Sequence, residues 1–427
     1  MSVTSSKAVT LPKPQVKVIT FLEKLLFFLL LPVIAIRTLI TYLTYPKPTT
    51  LHHRQRIAVA FLQAQRKTLP WKLLCWTTTR TTTSQAITQY CSSHKIAQKI
   101  VKLDPSSSCS IPPAILHILT PPPSHQTQRK DGHGATCTLV YFHGGGYVNP
   151  LRSKAHMPFI LNLANAAATP AAGRVGQVIV VEYSLAPAFP YPTQLVQCIE
   201  SIRYLMSELK IDPSEIIMAG DSAGGQLVGG ILAHVVRPCP YALPLNLDDG
   251  GKRFGGAVMI SPFVRVPAAR LPLEAPLEVV NKPSSYEKNA RRDYLTREQV
   301  DQFKGELGAD ERELYANLCM KGAAEEVWGK VFGPERKVVD KVLVTVGTGE
   351  VFLDCCRFFN ETCLKGGVVQ VKKGMKVDGS LFDGGKEYVL VECEGEVHVQ
   401  PALDAAVGYK EGLMNGAIMA WMGRYFG

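Results

Sequence analysis

The sequence predicts an α/β architecture: a mostly parallel sheet with helices on both faces and a helical cap, preceded by an apolar N-terminal segment. Six short runs carry the strand expectation: CTLVYF (137–142), QVIVVEY (177–183), EIIMAG (215–220), GAVMIS (256–261), KVLVTVG (341–347) and EYVLVEC (387–393). Each is a short run with an apolar centre containing β-branched residues, as a strand covered on both faces should have. Helix-periodic stretches separate them, such as Tyr191 to Lys210 with Leu195, Ile199, Ile202 and Leu205 on one side. The stretch 262–335 breaks the alternation with polar, helix-prone sequence, including YEKNARRDYLTREQV (286–300).

At the N-terminus, residues 1–17 read as a basic tail and 18–45 as a membrane anchor. From Leu25 to Tyr45 only Arg37 is charged, enough for a tilted helix across ~30 Å of hydrocarbon. Only Leu25 to Ile36 is uninterrupted, which also suits the apolar region of a secretory signal, but no small-x-small cleavage site follows. An uncleaved signal anchor is the expectation, with an interfacial helix and a cleaved signal as alternatives. Pro32 would kink such a helix without excluding it. Lys7, Lys13, Lys17 and Lys24 on one flank and Lys47, Arg54 and Arg56 on the other leave the orientation open.

Charge is placed unevenly. Residues 1–110 carry 15 Lys/Arg against Glu23 and Asp104, a net of +13, while the remainder holds 32 Lys/Arg and 34 Asp/Glu, a net of −2. With no nucleic-acid motif beside it, this basicity points to a membrane surface and away from nucleic acid. The eleven cysteines lack metal spacing and read as buried thiols, with one or two disulfides possible in a lumenal domain.

The body, 46–427, reads as one domain, because no Pro/Gly linker or internal repeat divides it. Cap contributions are expected from 46–130 and 262–335. TPPPSHQTQRKDGHG (120–134) reads as a surface loop.

Two glycine-rich motifs carry chemistry. GDSAGG (220–225) follows the strand EIIMAG and precedes a helix-capable QLVGGILAHVV, the strand–turn–helix setting that a G-x-S-x-G nucleophile needs. Gly220 and Gly224 keep the turn clear, Asp221 and Ala223 flank the serine, and Ser222 projects at the head of the helix. YFHGGGYV (141–148) follows an earlier strand. Consecutive glycines, Gly144 to Gly146, let backbone amides converge on an oxyanion. The expected donors are Gly145 and Gly146 with the amide of Ala223, and His143 is expected to brace the loop. No Lys-Ser/Thr follows, which disfavours a phosphate cradle.

HGGGYV, EYSLAPAFPYPTQL (182–195) and GDSAGG, in this order and spacing, resemble the hormone-sensitive-lipase family of α/β-hydrolases from about 136 to 410. Within it, YPTQL and the N-terminal anchor are most similar to fungal steryl acetyl hydrolases, which resemble arylacetamide deacetylases. Ala188 departs from the glutamate many relatives carry; the resemblance implies a lost structural contact there, with the chemistry unchanged.

The resemblance implies an acid and a histidine after Ser222. His398 in VECEGEVHVQPAL follows the last strand in the family's H-x-x-P setting, whereas His234 belongs to the helix after the serine. VTVGTGEVFLDCC (344–356) holds two carboxylates. Glu350 falls at the strand-end turn and is the expected triad acid, where most relatives carry aspartate. Asp354, about one turn into the next helix, is the alternative. Asn360-Glu361-Thr362 is the sole glycosylation sequon, set within that helix.

These features imply a serine carboxylester hydrolase that needs neither metal nor organic cofactor. The implied partner is a lipophilic small-molecule ester reaching the site from the membrane, with an acetylated sterol the favoured substrate. Esters of terpenoid or polyketide metabolites, or acyl transfer to another alcohol, are alternatives; a catalytically inactive lipid-binding member is another. The expected location is the endoplasmic reticulum membrane with a lumenal catalytic domain.

Overall fold

The computed structural model describes residues 19–104, 111–120, 136–166, 174–247, 251–264, 284–334 and 336–426. The basic tail 1–17, most of the predicted loop 120–134 and residues 265–283 of the predicted cap lie outside the described residues.

Among the described residues nine strands form one sheet in the order β1-β2-β4-β3-β5-β6-β7-β9-β8. They are β1 (Ala97–Lys102), β2 (Ile115–Thr120), β3 (Thr136–Phe142), β4 (Arg174–Glu182), β5 (Ile216–Asp221), β6 (Phe254–Ile260), β7 (Val339–Gly347), β8 (Gly367–Val371) and β9 (Tyr388–Cys393). β2 pairs antiparallel with β1 and β4, and every other pairing is parallel. All six predicted strands are present. Within 46–130, from which cap contributions are expected, 97–102 and 115–120 are sheet strands.

Alternation along the strands builds two cores. Val140 and Phe142 of β3 face helices Thr193–Ser207 and Ala223–Val236, while Leu139 and Tyr141 face helices Ser153–Ala166 and Leu413–Phe426. A strand covered on both faces must be apolar at every position, which is why these runs carried so strong a sequence signal.

The parallel register brings the strand ends level. Phe142 pairs with Gly220, Asp221 with Ile260, Ile260 with Thr345, and Gly347 with Cys393. The segments leaving these ends carry the glycine loop, Ser222, Glu350 and His398, so one edge of the sheet gathers residues far apart in sequence. Helix His53–Thr68 and the segment 284–307 cover that edge, and both contribute walls to a cavity there.

Helix Phe21–Leu43 begins with a capping box in which Thr20 accepts from the Glu23 amide and Glu23 returns the bond. Apolar throughout its middle, it lies against helices His53–Thr68 and Trp71–Thr78, with Ile34 packed among Ala64, Leu69, Leu73 and Leu74.

Candidate active site

Ser222 sits between β5 and helix Ala223–Val236 at φ 51° and ψ −115°, a conformation that side-chain-bearing residues rarely adopt. Its backbone is pinned on both sides. The Ser222 amide donates to the Ile260 carbonyl at 2.8 Å, and the Ser222 carbonyl accepts from Gln226 and Phe263 at 3.1 Å each. A Cβ on Gly220 would meet the Gly224 carbonyl carbon at 2.5 Å, and one on Gly224 would reach the Phe142 oxygen at 1.9 Å. The glycine requirement of the motif is thus a packing fact.

Asp221 points away from the chemistry and fastens the neighbouring loop. It accepts from the Gly144 amide at 2.9 Å and the Tyr141 hydroxyl at 2.6 Å, with His156 Nε2 at 3.5 Å. Burial alone would raise its pKa, but His156 and these hydrogen bonds hold it below the usual carboxylate range. His143 is buried with its ring stacked on Tyr183, Nδ1 beside the Gly144 carbonyl at 2.7 Å and Nε2 beside Thr83 at 3.4 Å. It braces the loop from behind.

Gly145 and Gly146 adopt φ 116° and 62°, and both line the cavity together with Ser222 and Ala223. A Cβ on Gly146 would stand 2.5 Å from the Phe303 ring. Ala223 is the first residue of its helix, where a backbone N–H has no intrahelical acceptor. The loop and helix start therefore bring amide-bearing residues to the same cavity as the serine.

His398 Nε2 lies 2.9 Å from Ser222 Oγ. Its Nδ1 is 3.6 Å from Glu350 Oε2, which accepts from Ser261 Oγ at 2.7 Å. Glu350 and His398 are both buried. Burial pushes the imidazole down to about 4, although Asp293 and Asp221 work in the opposite direction. Burial likewise pushes the Glu350 carboxyl up to about 8, with the Ser261 hydrogen bond pulling it back. At rest the imidazole is neutral, the state in which it can accept a proton. Between Nδ1 and Glu350 the separation is just beyond a hydrogen bond, and a charged imidazolium would draw the two together.

Glu350 owes its position to the turn after β7. Gly347 and Gly349 press on the backbone of Gly395 and Glu396, where a Cβ on Gly347 would meet the Glu396 oxygen at 2.1 Å. Asn289 Nδ2 donates to the Glu350 carbonyl at 2.8 Å and the Thr348 carbonyl at 3.0 Å. Asp354 stands in the first turn of helix Leu353–Phe359, and its carboxylate accepts from the Ser285 amide at 2.6 Å. The two carboxylates of VTVGTGEVFLDCC are thereby separated: one faces the histidine, the other ties the helix to the segment at 285.

Two further residues escaped the sequence reading. Ser261, at the end of β6 with φ 44°, bridges the Val399 amide and Glu350. Asp293, from the polar segment 286–300, is wholly buried. It accepts from the amides of Val351 at 2.9 Å, Leu295 at 3.2 Å and His398 at 3.4 Å. Burial raises its pKa to about 6; the nearby Glu350 adds to the rise, while His398 and the amides oppose it. An aspartate inside an apparently solvated, charge-rich run was the only available signal.

The cavity holds about 460 Å³, within the range of small-molecule sites. Ile57, Phe61 and Leu62 wall one side, Leu295, Val300 and Phe303 another. Arg66 Nη1 donates to Gln299 and to the Tyr294 carbonyl, joining the two walls. Such an arrangement can do one kind of chemistry directly: a hydroxyl, a neutral imidazole and preorganised amides around an apolar cavity suit attack on an acyl carbon. Among the described residues no group of His, Cys, Asp and Glu forms a metal cluster.

The Asn360 side chain is buried and hydrogen-bonds to the Gly366 carbonyl at 3.4 Å, so the folded chain does not offer the sequon for modification.

A family model described as alpha/beta hydrolase fold matches residues 139–376, more than half of the chain. Human hormone-sensitive lipase is 31% identical over 142 residues, which is 33% of this chain and 12% of that protein. Carboxylesterase NlhH of Mycobacterium tuberculosis is 29% identical over 169 residues, 39% of this chain and 43% of that protein. The chain therefore matches less than half the length of either curated relative. A crystal structure of a thermostable esterase from Pseudomonas putida shares the fold with a TM-score of 0.55 at 16% identity, covering 89% of this chain and 98% of that one. By its matched family model and by a sheet of the same fold, the chain belongs to the α/β-hydrolase fold family.

Proposed function

We propose that the chain is a serine carboxylester hydrolase. The observation that carries this reading is the 2.9 Å approach of His398 Nε2 to Ser222 Oγ at a strained turn inside an apolar cavity. His398 takes the Ser222 proton as Oγ attacks the ester carbonyl, and Glu350 orients the imidazole and stabilises its cation. The oxyanion is held by the amides of Gly145, Gly146 and Ala223. His398 then returns the proton to the leaving alcohol, and water releases the acid by the same route. Asp354 is left with a structural role, and Asp293, when ionised, contributes negative charge near the forming imidazolium.

The proposed substrate is a lipophilic ester, with an acetylated sterol the leading candidate and acetyl or short-acyl esters of terpenoid or polyketide metabolites next. Support comes from the apolar walls of the cavity, the apolar helix Phe21–Leu43 packed on the wall helix His53–Thr68, and the resemblance to fungal steryl acetyl hydrolases. The test compares lipid extracts of cells with and without the enzyme. Acetyl esters of a lipophilic alcohol should accumulate in its absence; extracts with no such ester would remove the sterol reading.

A further inference from the structure

We infer that helix Phe21–Leu43 lies in the plane of a bilayer surface instead of crossing it, and that this holds the mouth of the active-site cavity against lipid. The inference deepens the membrane part of the reading above and is independent of the catalytic part.

The first ground is a stripe. Along the helix, the residues at least partly shielded from solvent are Glu23, Phe27, Leu30, Ile34, Thr38, Thr41 and Tyr42, recurring every three or four residues up to the adjacent pair at the C-terminal end. One side of the helix thus follows the protein from end to end. Phe27 meets Trp76 edge-on at 5.4 Å, and Ile34 enters the cluster with Ala64, Leu73 and Leu74.

The second ground is that polar contacts fix the helix at both ends and in the middle. Glu23 pairs with Lys72 at 2.7 Å. Arg37 donates to the Lys67 carbonyl at 2.9 Å and to Thr68 at 3.1 Å. Arg56 donates to the Tyr42 carbonyl at 2.8 Å and stacks over the Tyr42 ring. From Glu23 to Tyr42 the helix rises about 29 Å, the thickness of a hydrocarbon core. A spanning helix in this arrangement would draw Arg56, Arg66, Lys67 and Lys72 through the bilayer with it, which hydrocarbon does not tolerate.

The opposite side is apolar and open. Phe21, Leu22, Leu29, Ile36, Ile40 and Leu43 are each more than half exposed. Such a face, flanked by Lys24, Lys47 and Arg54 in a region of net charge +13, is complementary to an anionic lipid surface.

The third ground is continuity with the cavity. On helix His53–Thr68, Ala64 packs with the apolar helix, and Ala58 and Leu62 line the cavity. At 100° per residue, Ile57 and Phe61 fall between these two sides. Both line the cavity and both are nearly half exposed, at 48% and 46%. The apolar surface therefore runs from the lipid-facing helix over Ile57 and Phe61 into the site.

The test places one epitope tag at each end of the full chain and treats sealed microsomes with protease. An in-plane helix leaves both tags on one side, so both are digested or both protected. Opposite fates, or an N-terminal tag missing from the membrane-bound chain, would overturn the inference. A second measurement uses the Leu29→Asp/Ile36→Asp double variant, which changes only the outer face. Flotation with phosphatidylcholine/phosphatidylserine vesicles should fall at least fivefold, with hydrolysis of p-nitrophenyl acetate unchanged. Unchanged flotation would overturn the inference. So would a parent chain that binds no vesicle and self-associates through this face, read as a dimer that the double variant converts to monomer. Tag topology does not depend on Ser222, so this inference and the hydrolase reading fail separately.

Discussion

Glu350 Oε2 accepts a hydrogen bond from Ser261 at 2.7 Å while standing 3.6 Å from His398 Nδ1, so the acid is held in place before it engages the histidine. Glu350→Gln keeps the shape and removes a carboxyl that, although burial raises its pKa to about 8, ionises more readily beside a forming imidazolium. Turnover of p-nitrophenyl esters should fall by roughly 10³-fold or more, mainly in kcat. Asp354→Asn should cost less than about tenfold in kcat, since its carboxylate serves the Ser285 amide, and should lower Tm by a few degrees. The opposite ranking in kcat would exchange the roles of the two carboxylates.

Asp293 gives a different signature. Around it and His398 stand Glu350 and Asp221 from the sheet edge, Arg66 from helix His53–Thr68, and Tyr45 and Tyr294 from adjoining loops. Removing its charge in Asp293→Asn leaves the imidazolium less stabilised, so kcat should drop about 10- to 100-fold. The loss should be largest above pH 6, where the parent Asp293 is ionised, and should shrink as that carboxyl protonates. A loss that is equal at every pH and follows Tm would make Asp293 purely structural.

In the parent enzyme the same electrostatics set the pH profile. His398 acts in its neutral form, and burial holds its pKa down to about 4. Activity should therefore be retained as pH falls below 6.5, the ordinary histidine value, and decline only nearer the depressed one. A limb at or above 6.5 would mean that the negative charges beside the ring outweigh its desolvation.

The Ser222 turn predicts a trade of stability against activity. At φ 51° a glycine is relaxed where serine is strained, by about 1–3 kcal/mol. Ser222→Gly should raise Tm by about 1–3 °C while abolishing hydrolysis. Calorimetry of the two proteins checks this, and a lowered Tm would remove the strain argument.

Particular residues explain what the sequence could reveal. Strands β3, β4, β5, β6, β7 and β9 were legible because both faces are covered and each run has a continuous apolar centre. Edge strand β1, AQKIVK, and β8, GVVQV, were not, since half-exposed positions dilute the signal. Ser222 and the glycine loop were legible because tight backbone geometry demands glycine at fixed spacing. Glu350 could be separated from Asp354 because the strand-to-helix boundary between them was readable. Ser261 and Asp293 act through contacts spanning 89 and 105 residues, which no local pattern encodes. The packed side of helix Phe21–Leu43 was hidden too, because apolar residues occupy both of its faces.

The central claim, that Ser222 is the nucleophile of an ester hydrolase, is tested most directly by covalent labelling with a fluorophosphonate followed by mass-spectrometric mapping. The account predicts stoichiometric phosphonylation of Ser222, complete loss of p-nitrophenyl ester hydrolysis with it, and no label on Ser222→Ala. Labelling that persists in Ser222→Ala, or hydrolysis that survives full modification of Ser222, would contradict it.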